Sequence, residues 1–171
     1  MEFTKLYKLG CKMKILALLS FFLFTSCQVN KELVESIHIN FIGTDDIYIK
    51  YPTCQYIIHF YDKKDDTIKF NISKKEFDTI QALYTEYVKS YPTDTEIYLK
   101  DKSLVLTGGS IKKYNFSLND KNNKIITLID TGGDNVDKEF KNFMKFDVYI
   151  QKLLKSKKEL KNKPDSNMPS F

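Results

Sequence analysis

Runs that alternate apolar and polar residues fill the middle of this chain and commit it to a sheet with one dry face and one wet face. Ile37, Ile39 and Phe41 recur at every second position, as do Ile47, Ile49 and Tyr51, the spacing that puts side chains on one side of an extended strand. Four runs of strand character, at 36–41, 46–51, 55–61 and 67–72, are separated by Gly43-Thr44-Asp45, Pro52-Thr53 and Asp62-Lys63-Lys64-Asp65-Asp66, all rich in turn formers. Close antiparallel hairpins are therefore expected.

Ser73-Lys74-Lys75-Glu76 follows as a capping box, in which the serine hydroxyl accepts from a first-turn amide and Glu76 reaches back to the cap amide. A helix should begin there and run to about residue 89. Phe77, Ile80, Leu83, Tyr84, Tyr87 and Val88 recur at three-and-four spacing as its apolar stripe, and Pro92 limits its extension. The second half repeats the order, with strand-like runs at 96–100, 103–107, 112–118 and 124–130. A helix then opens at Asn135-Val136-Asp137, with Val136, Phe140, Phe143, Met144, Val148, Leu153 and Leu154 as its buried side. The fold expected is α+β, an antiparallel sheet of about seven or eight strands with two amphipathic helices packed on one face. Four strands and a helix, twice, also raise a duplication, echoed locally by Lys75-Glu76-Phe77 and Lys138-Glu139-Phe140.

Upstream, Lys12-Met13-Lys14 is followed by a stretch, 15–24, that is apolar but for Ser20, and then by Thr25-Ser26-Cys27. Those ten residues would rise about 15 Å as a helix, half of the roughly 30 Å hydrocarbon core, so the stretch is too short to span a bilayer. Lys5, Lys8, Lys12 and Lys14 block any backward extension, because charge near a bilayer centre is expensive. A basic start, a short apolar run and small residues before a cysteine describe a secretory signal, and its end resembles the lipobox of bacterial lipoproteins. The resemblance covers the first 27 residues. It implies a signal peptide at 1–26, with Met13 as the expected true start, and acylation of Cys27 on its thiol and new amine. Residues 27–35 then form a lipidated tether, 36–160 a single α+β domain and 161–171 a disordered tail rich in lysine, with Pro164 and Pro169. The implied address is the bacterial cell envelope. The outer membrane is favoured because Gln28 stands where, in the enterobacterial pattern, an aspartate retains lipoproteins at the inner membrane.

Charge narrows the partners. All 27 basic residues are lysine; four of them and one of the 22 acids precede Cys27, so the mature chain carries about +2. A nearly neutral chain without arginine lacks the planar fork that reads phosphates and guanine, and nucleic acid is not expected as a partner. Of the cysteines, Cys11 precedes the cut, Cys27 carries lipid and only Cys54 remains in the domain, so no internal disulfide is available. Cys54 lies between Pro52-Thr53 and Tyr56-Ile57-Ile58 and reads as a buried small hydrophobe.

Candidate chemistry is sparse. Leu128-Ile129-Asp130-Thr131-Gly132-Gly133 resembles the catalytic loop of retropepsin-like aspartic proteases, which would make Asp130 catalytic. That fold needs further strands after its aspartate, whereas 136–160 reads as helix, so a strand-to-helix turn capped by Asp134 or Asn135 is the stronger reading. Asp130, Asp134 and Asp137 lack the spacing of a calcium loop. His38 and His59 fall on strand runs that could bring them together, but they lack a third ligand. Neither metal nor cofactor is expected, and the chain does not read as an enzyme.

The aromatic content remains, 13 Phe and 11 Tyr with no Trp. Tyr48, Tyr51, Tyr61 and Tyr98 fall at strand ends or opposite the buried parity, where an amphipathic ring suits a protein-binding surface. The expectation is a lipid-anchored envelope protein that binds another protein and resembles immunity proteins or inhibitors. An assembly lipoprotein of an envelope complex and a hydrolase using Asp130 are the alternatives.

Overall fold

Period-two burial in the strands sets the architecture. In a computed structural model of the chain, which describes residues 32–98, 111–130 and 138–168, seven strands form one sheet. They are β1 (Val34–Phe41), β2 (Asp45–Ile49), β3 (Thr53–Ile58), β4 (Asp66–Asn71), β5 (Thr95–Tyr98), β6 (Ile111–Leu118) and β7 (Asn123–Ile129). Two helices accompany them, α1 (Lys74–Tyr87) and α2 (Lys138–Ser156), followed by a short 3-10 turn at Lys158–Leu160. The strand order is β4-β3-β2-β1-β6-β7-β5. Every pairing is antiparallel except β5 with β7, which is parallel.

The parallel pair follows from where the chain is sent. α1 leaves the β4 edge and the chain returns at the opposite edge as β5, while β6 pairs with β1 and leaves one place between. β7 fills that place. Hairpin-paired with β6, it runs antiparallel to β6 and parallel to β5. The sheet is therefore mixed and not purely antiparallel as expected, and the two halves are not copies. β1 to β4 form a meander, whereas β5 pairs with β7 and β6 pairs with β1. The run expected at 103–107 lies outside the described residues.

One parity of each strand is dry. Register aligns Ile37 with Ile49 and Phe116, Ile39 with Ile47 and Tyr114, Tyr56 with Ile47, and Ile126 with Tyr114. All are buried. Both helices pack on this side. Phe143 and Phe146 of α2 meet the Tyr114 ring edge-on at 5.2 and 6.1 Å, and Tyr84 of α1 meets Phe116 at 5.2 Å. The capping box forms as expected, Ser73 Oγ accepting from the Glu76 amide while Glu76 accepts from the Ser73 amide. Glu76 also accepts from Lys157 Nζ at 2.8 Å, which ties the end of α2 to the start of α1. Burial opposes ionisation of Glu76, but the Lys157 and Ser73 bonds outweigh it and hold the carboxyl below its ordinary range.

Two expectations about helix and domain limits are corrected. On α2 the buried stripe is Phe140, Phe143, Phe146, Ile150, Leu153 and Leu154, and Val148 is exposed. Steps of three and four from Phe143 reach 146, 147 and 150, whereas Val148 stands roughly 140° away around the helix. The fold also begins before residue 36. Val34 is buried, with Gln81 of α1 bonding both its amide and its carbonyl, and Glu32 accepts from the Tyr84 hydroxyl.

Candidate functional site

The face turned away from the helices is polar. His38 and Asn40 on β1 share it with Asp46 and Tyr48 on β2, because register pairs His38 with Tyr48 and Asn40 with Asp46. His59 joins them by extending β3 one residue beyond Ile58, its amide donating to the Thr44 carbonyl at 3.0 Å. Asp46 is the hub. It accepts from Asn40 Nδ2 at 2.7 Å, His38 Nε2 at 2.9 Å and His59 Nε2 at 3.0 Å. The other ring nitrogen of His59 donates to Asp65 Oδ2 at 2.8 Å.

The electrostatics follow from those bonds. Burial pushes Asp46 towards neutrality, yet the bonds from Asn40, His38 and His59 outweigh it and hold its carboxyl below the usual range. His59 moves the other way. The bond to Asp46 raises its pKa against the opposing effect of burial, and Asp65 raises it further. Each ring nitrogen of His59 faces an acceptor-only carboxylate oxygen, so the two contacts are both hydrogen bonds only when the ring is doubly protonated.

Tyr48 stacks on His38, ring centroids 4.2 Å apart and 7° from parallel, and is 39% exposed. Burial and then the charge of Asp46 push its hydroxyl up, so at neutral pH it remains a neutral donor and acceptor. Beside His38 on β6, Asn115 keeps its Oδ1 buried and without a hydrogen-bond partner. This arrangement offers a rigid aromatic edge and fixed hydrogen-bonding groups. The group contains no serine, threonine or cysteine to serve as a nucleophile, and among the described residues no three His, Cys, Asp or Glu side chains are arranged to hold a metal ion.

The other expected surface tyrosines lie elsewhere. Tyr51 continues the dry parity of β2, and its ring packs on Phe77 of α1 at 5.8 Å. Tyr61 is 81% exposed in the β3–β4 loop, its amide donating to Asn167 Oδ1. Tyr98 shares the open face but sits on β5, four strand spacings or about 19 Å from β2, and its hydroxyl donates to Glu96. The four do not make one patch. Cys54 is fully buried, and burial pushes its thiol up, as suits a packing residue. Asp130 follows the end of β7 directly, while Asp134 and Asp137 lie outside the described residues, as does Cys27.

Asp46, Asn40 and Asp65 are the site residues that the sequence reading missed. The signal for the first two was present, since both occupy the polar parity of strands whose apolar parity was already assigned. No protein-family model, no curated protein and no solved structure matches this chain.

Proposed function

We propose that this chain is a lipid-anchored protein of the bacterial envelope, at the outer membrane, that binds another protein through the open face of its sheet in the manner of an immunity protein or inhibitor. The anchor rests on the signal-like run that ends at Cys27. The binding reading rests on one observation, the pre-organised cluster around Tyr48. An aromatic ring locked against His38, which is itself held by Asp46, loses little conformational freedom on docking and presents both an apolar face and a hydroxyl. A polar, partly aromatic patch of this kind fits a non-obligate interface better than a permanent apolar one.

Site-specific photo-crosslinking in membranes tests it. A crosslinker at Tyr48 should capture a discrete protein, and one at Val148, exposed on the far side of α2, should not. With the captured partner purified, Tyr48→Ala should weaken binding by at least about tenfold, as expected for an aromatic anchor worth about 2 kcal/mol. Equal capture from both positions, or affinity unchanged by Tyr48→Ala, overturns the reading.

A further inference from the structure

Residues 163–168 were expected to belong to a disordered tail, yet Lys163, Ser166 and Asn167 are held through their side chains. Lys163 Nζ lies 4.0 Å from Asp45 Oδ2 and 5.0 Å over the Tyr56 ring, on the helix side of the sheet. Ser166 Oγ donates to the His59 carbonyl at 2.7 Å. Asn167 accepts from the Tyr61 amide at 3.0 Å and donates to Asp62 Oδ1 at 2.7 Å. Composition, rich in lysine and proline, hides these contacts because each depends on where the β3–β4 loop presents its backbone.

We propose that His59 is a protonation-dependent latch: its imidazolium pins the β3–β4 loop to β2, and the loop so fixed holds the C-terminal strap, residues 163–168, against the end of the sheet. The geometry carries this. His59 bridges Asp46, anchored in β2, and Asp65, which belongs to the loop and also accepts from the Phe60 amide at 3.4 Å. The three strap contacts from Ser166 and Asn167 all land on residues 59–62, the stretch between those two supports. A neutral ring has one N–H and can satisfy only one carboxylate. Asp46 side-chain exposure is 16% and Asn40 and His38 also hold it, whereas Asp65 is 46% exposed and is readily rehydrated. Loss of the proton therefore releases Asp65, and with it the Phe60 amide and the platform for the strap.

The surrounding charges are accounted for. On β1, His38 shares Asp46; on β2, Asp45 turns to the other face towards Tyr56 and Lys163. In the loop, Asp62 is held by Asn167, and Lys63 pairs with Asp66 of β4 at 3.9 Å above the Phe60 ring. Lys64 and, in the strap, Asp165 are exposed. Among the described residues only Asp46 and Asp65 bond the ring. Because the folded value of His59 is raised, the latch is fully engaged below the unfolded value of about 6.5 and lost as pH rises through the folded value.

The test follows the imidazole resonances and amide exchange of the full mature chain by NMR. The Tyr61 protection factor, corrected for intrinsic exchange, should fall in step with the titration of His59, by up to about tenfold for each pK unit of its elevation. Ile126, in the sheet centre, should show no such step. Asp65→Asn, at an exposed position, should lower the His59 pKa and bring Tyr61 protection at low pH down to the high-pH level; His59→Gln should make protection independent of pH. A Tyr61 protection factor that stays flat through the His59 titration, a His59 ring that is neutral below about pH 6, or an unchanged pH profile in Asp65→Asn overturns the latch.

Discussion

Phe116→Ala should cost the fold about 3–5 kcal/mol and lower the urea midpoint with the slope unchanged. Phe116 is fully buried at the point where both helices meet the sheet. Its ring lies 5.2 Å from that of Tyr84 on α1 and 5.6 Å from that of Phe146 on α2. Across the strands it faces Ile37 on β1 and Lys124 on β7. Truncation thus opens a cavity lined by four elements, none of which can move in without leaving its own neighbours, and the transfer loss is joined by a cavity penalty. Phe116→Leu refills much of the volume and should recover most of the stability. A Phe116→Ala chain within about 1 kcal/mol of wild type in urea unfolding would show that this junction is loosely packed.

Lys124 explains part of that rigidity. It occupies a core position on β7, opposite Phe116, with only 9% of its surface exposed. Its ammonium donates to the Lys89 carbonyl at 2.6 Å, lies 3.9 Å from Glu32 and stands 5.8 Å over the Tyr84 ring. Burial pulls its pKa down, with Glu32 opposing and Lys89 reinforcing the shift. Among the described residues Asp147 is the other buried charge, accepting from the Tyr114 hydroxyl and from Lys112 Nζ at 3.2 Å.

These residues mark the limit of what could be read before the fold was known. Strands β1 and β2 were legible because Ile37, Ile39, Ile47 and Ile49 alternate with polar neighbours, and α1 because its cap and its three-and-four stripe agree. Asp147 was not, since hydrophobic periodicity has no place for a carboxylate that is buried only because Tyr114 and Lys112 arrive from β6. On α2 the expected Phe140, Phe143, Leu153 and Leu154 are buried and Met144 packs partly on the core, whereas Val148 is exposed and Phe146 and Ile150, which border that aspartate, were overlooked. Of the candidate site, His38 and His59 were noticed as strand histidines and set aside for want of a third ligand, and Asp46, though on the polar parity, was missed. Asp65 lies in a loop whose path no periodicity encodes. The parallel pairing of β5 depends on which strand fills the place beside it, a decision made by the whole sheet.

Cys27→Ser should abolish both fatty-acid labelling and membrane retention, the largest change expected from any single substitution in the proposed anchor. The magnitudes separate lipid from every other source of attachment in the mature chain. Each buried CH₂ contributes about 0.8 kcal/mol, so a single acyl chain gives marginal, reversible binding and two or three chains hold effectively permanently. Against this, a net charge near +2 supplies at most a few kcal/mol, at about 1 kcal/mol per lysine held close to an anionic surface and less in salt. Among the described residues no helix is long and apolar enough to cross a membrane. Serine keeps the size of the side chain but has no thiol to form the thioether, so the variant loses the lipid while the sheet, which begins seven residues later at Val34, is untouched. Metabolic labelling with a fatty-acid probe and a high-salt membrane wash, run on wild type and Cys27→Ser, therefore read the anchor apart from the fold. Persistent label on the serine variant would place the acyl group on another residue and remove Cys27 as the attachment point. Loss of label with retention in the washed pellet would instead mean that a protein contact, or an uncut apolar segment 15–24, holds the chain at the envelope.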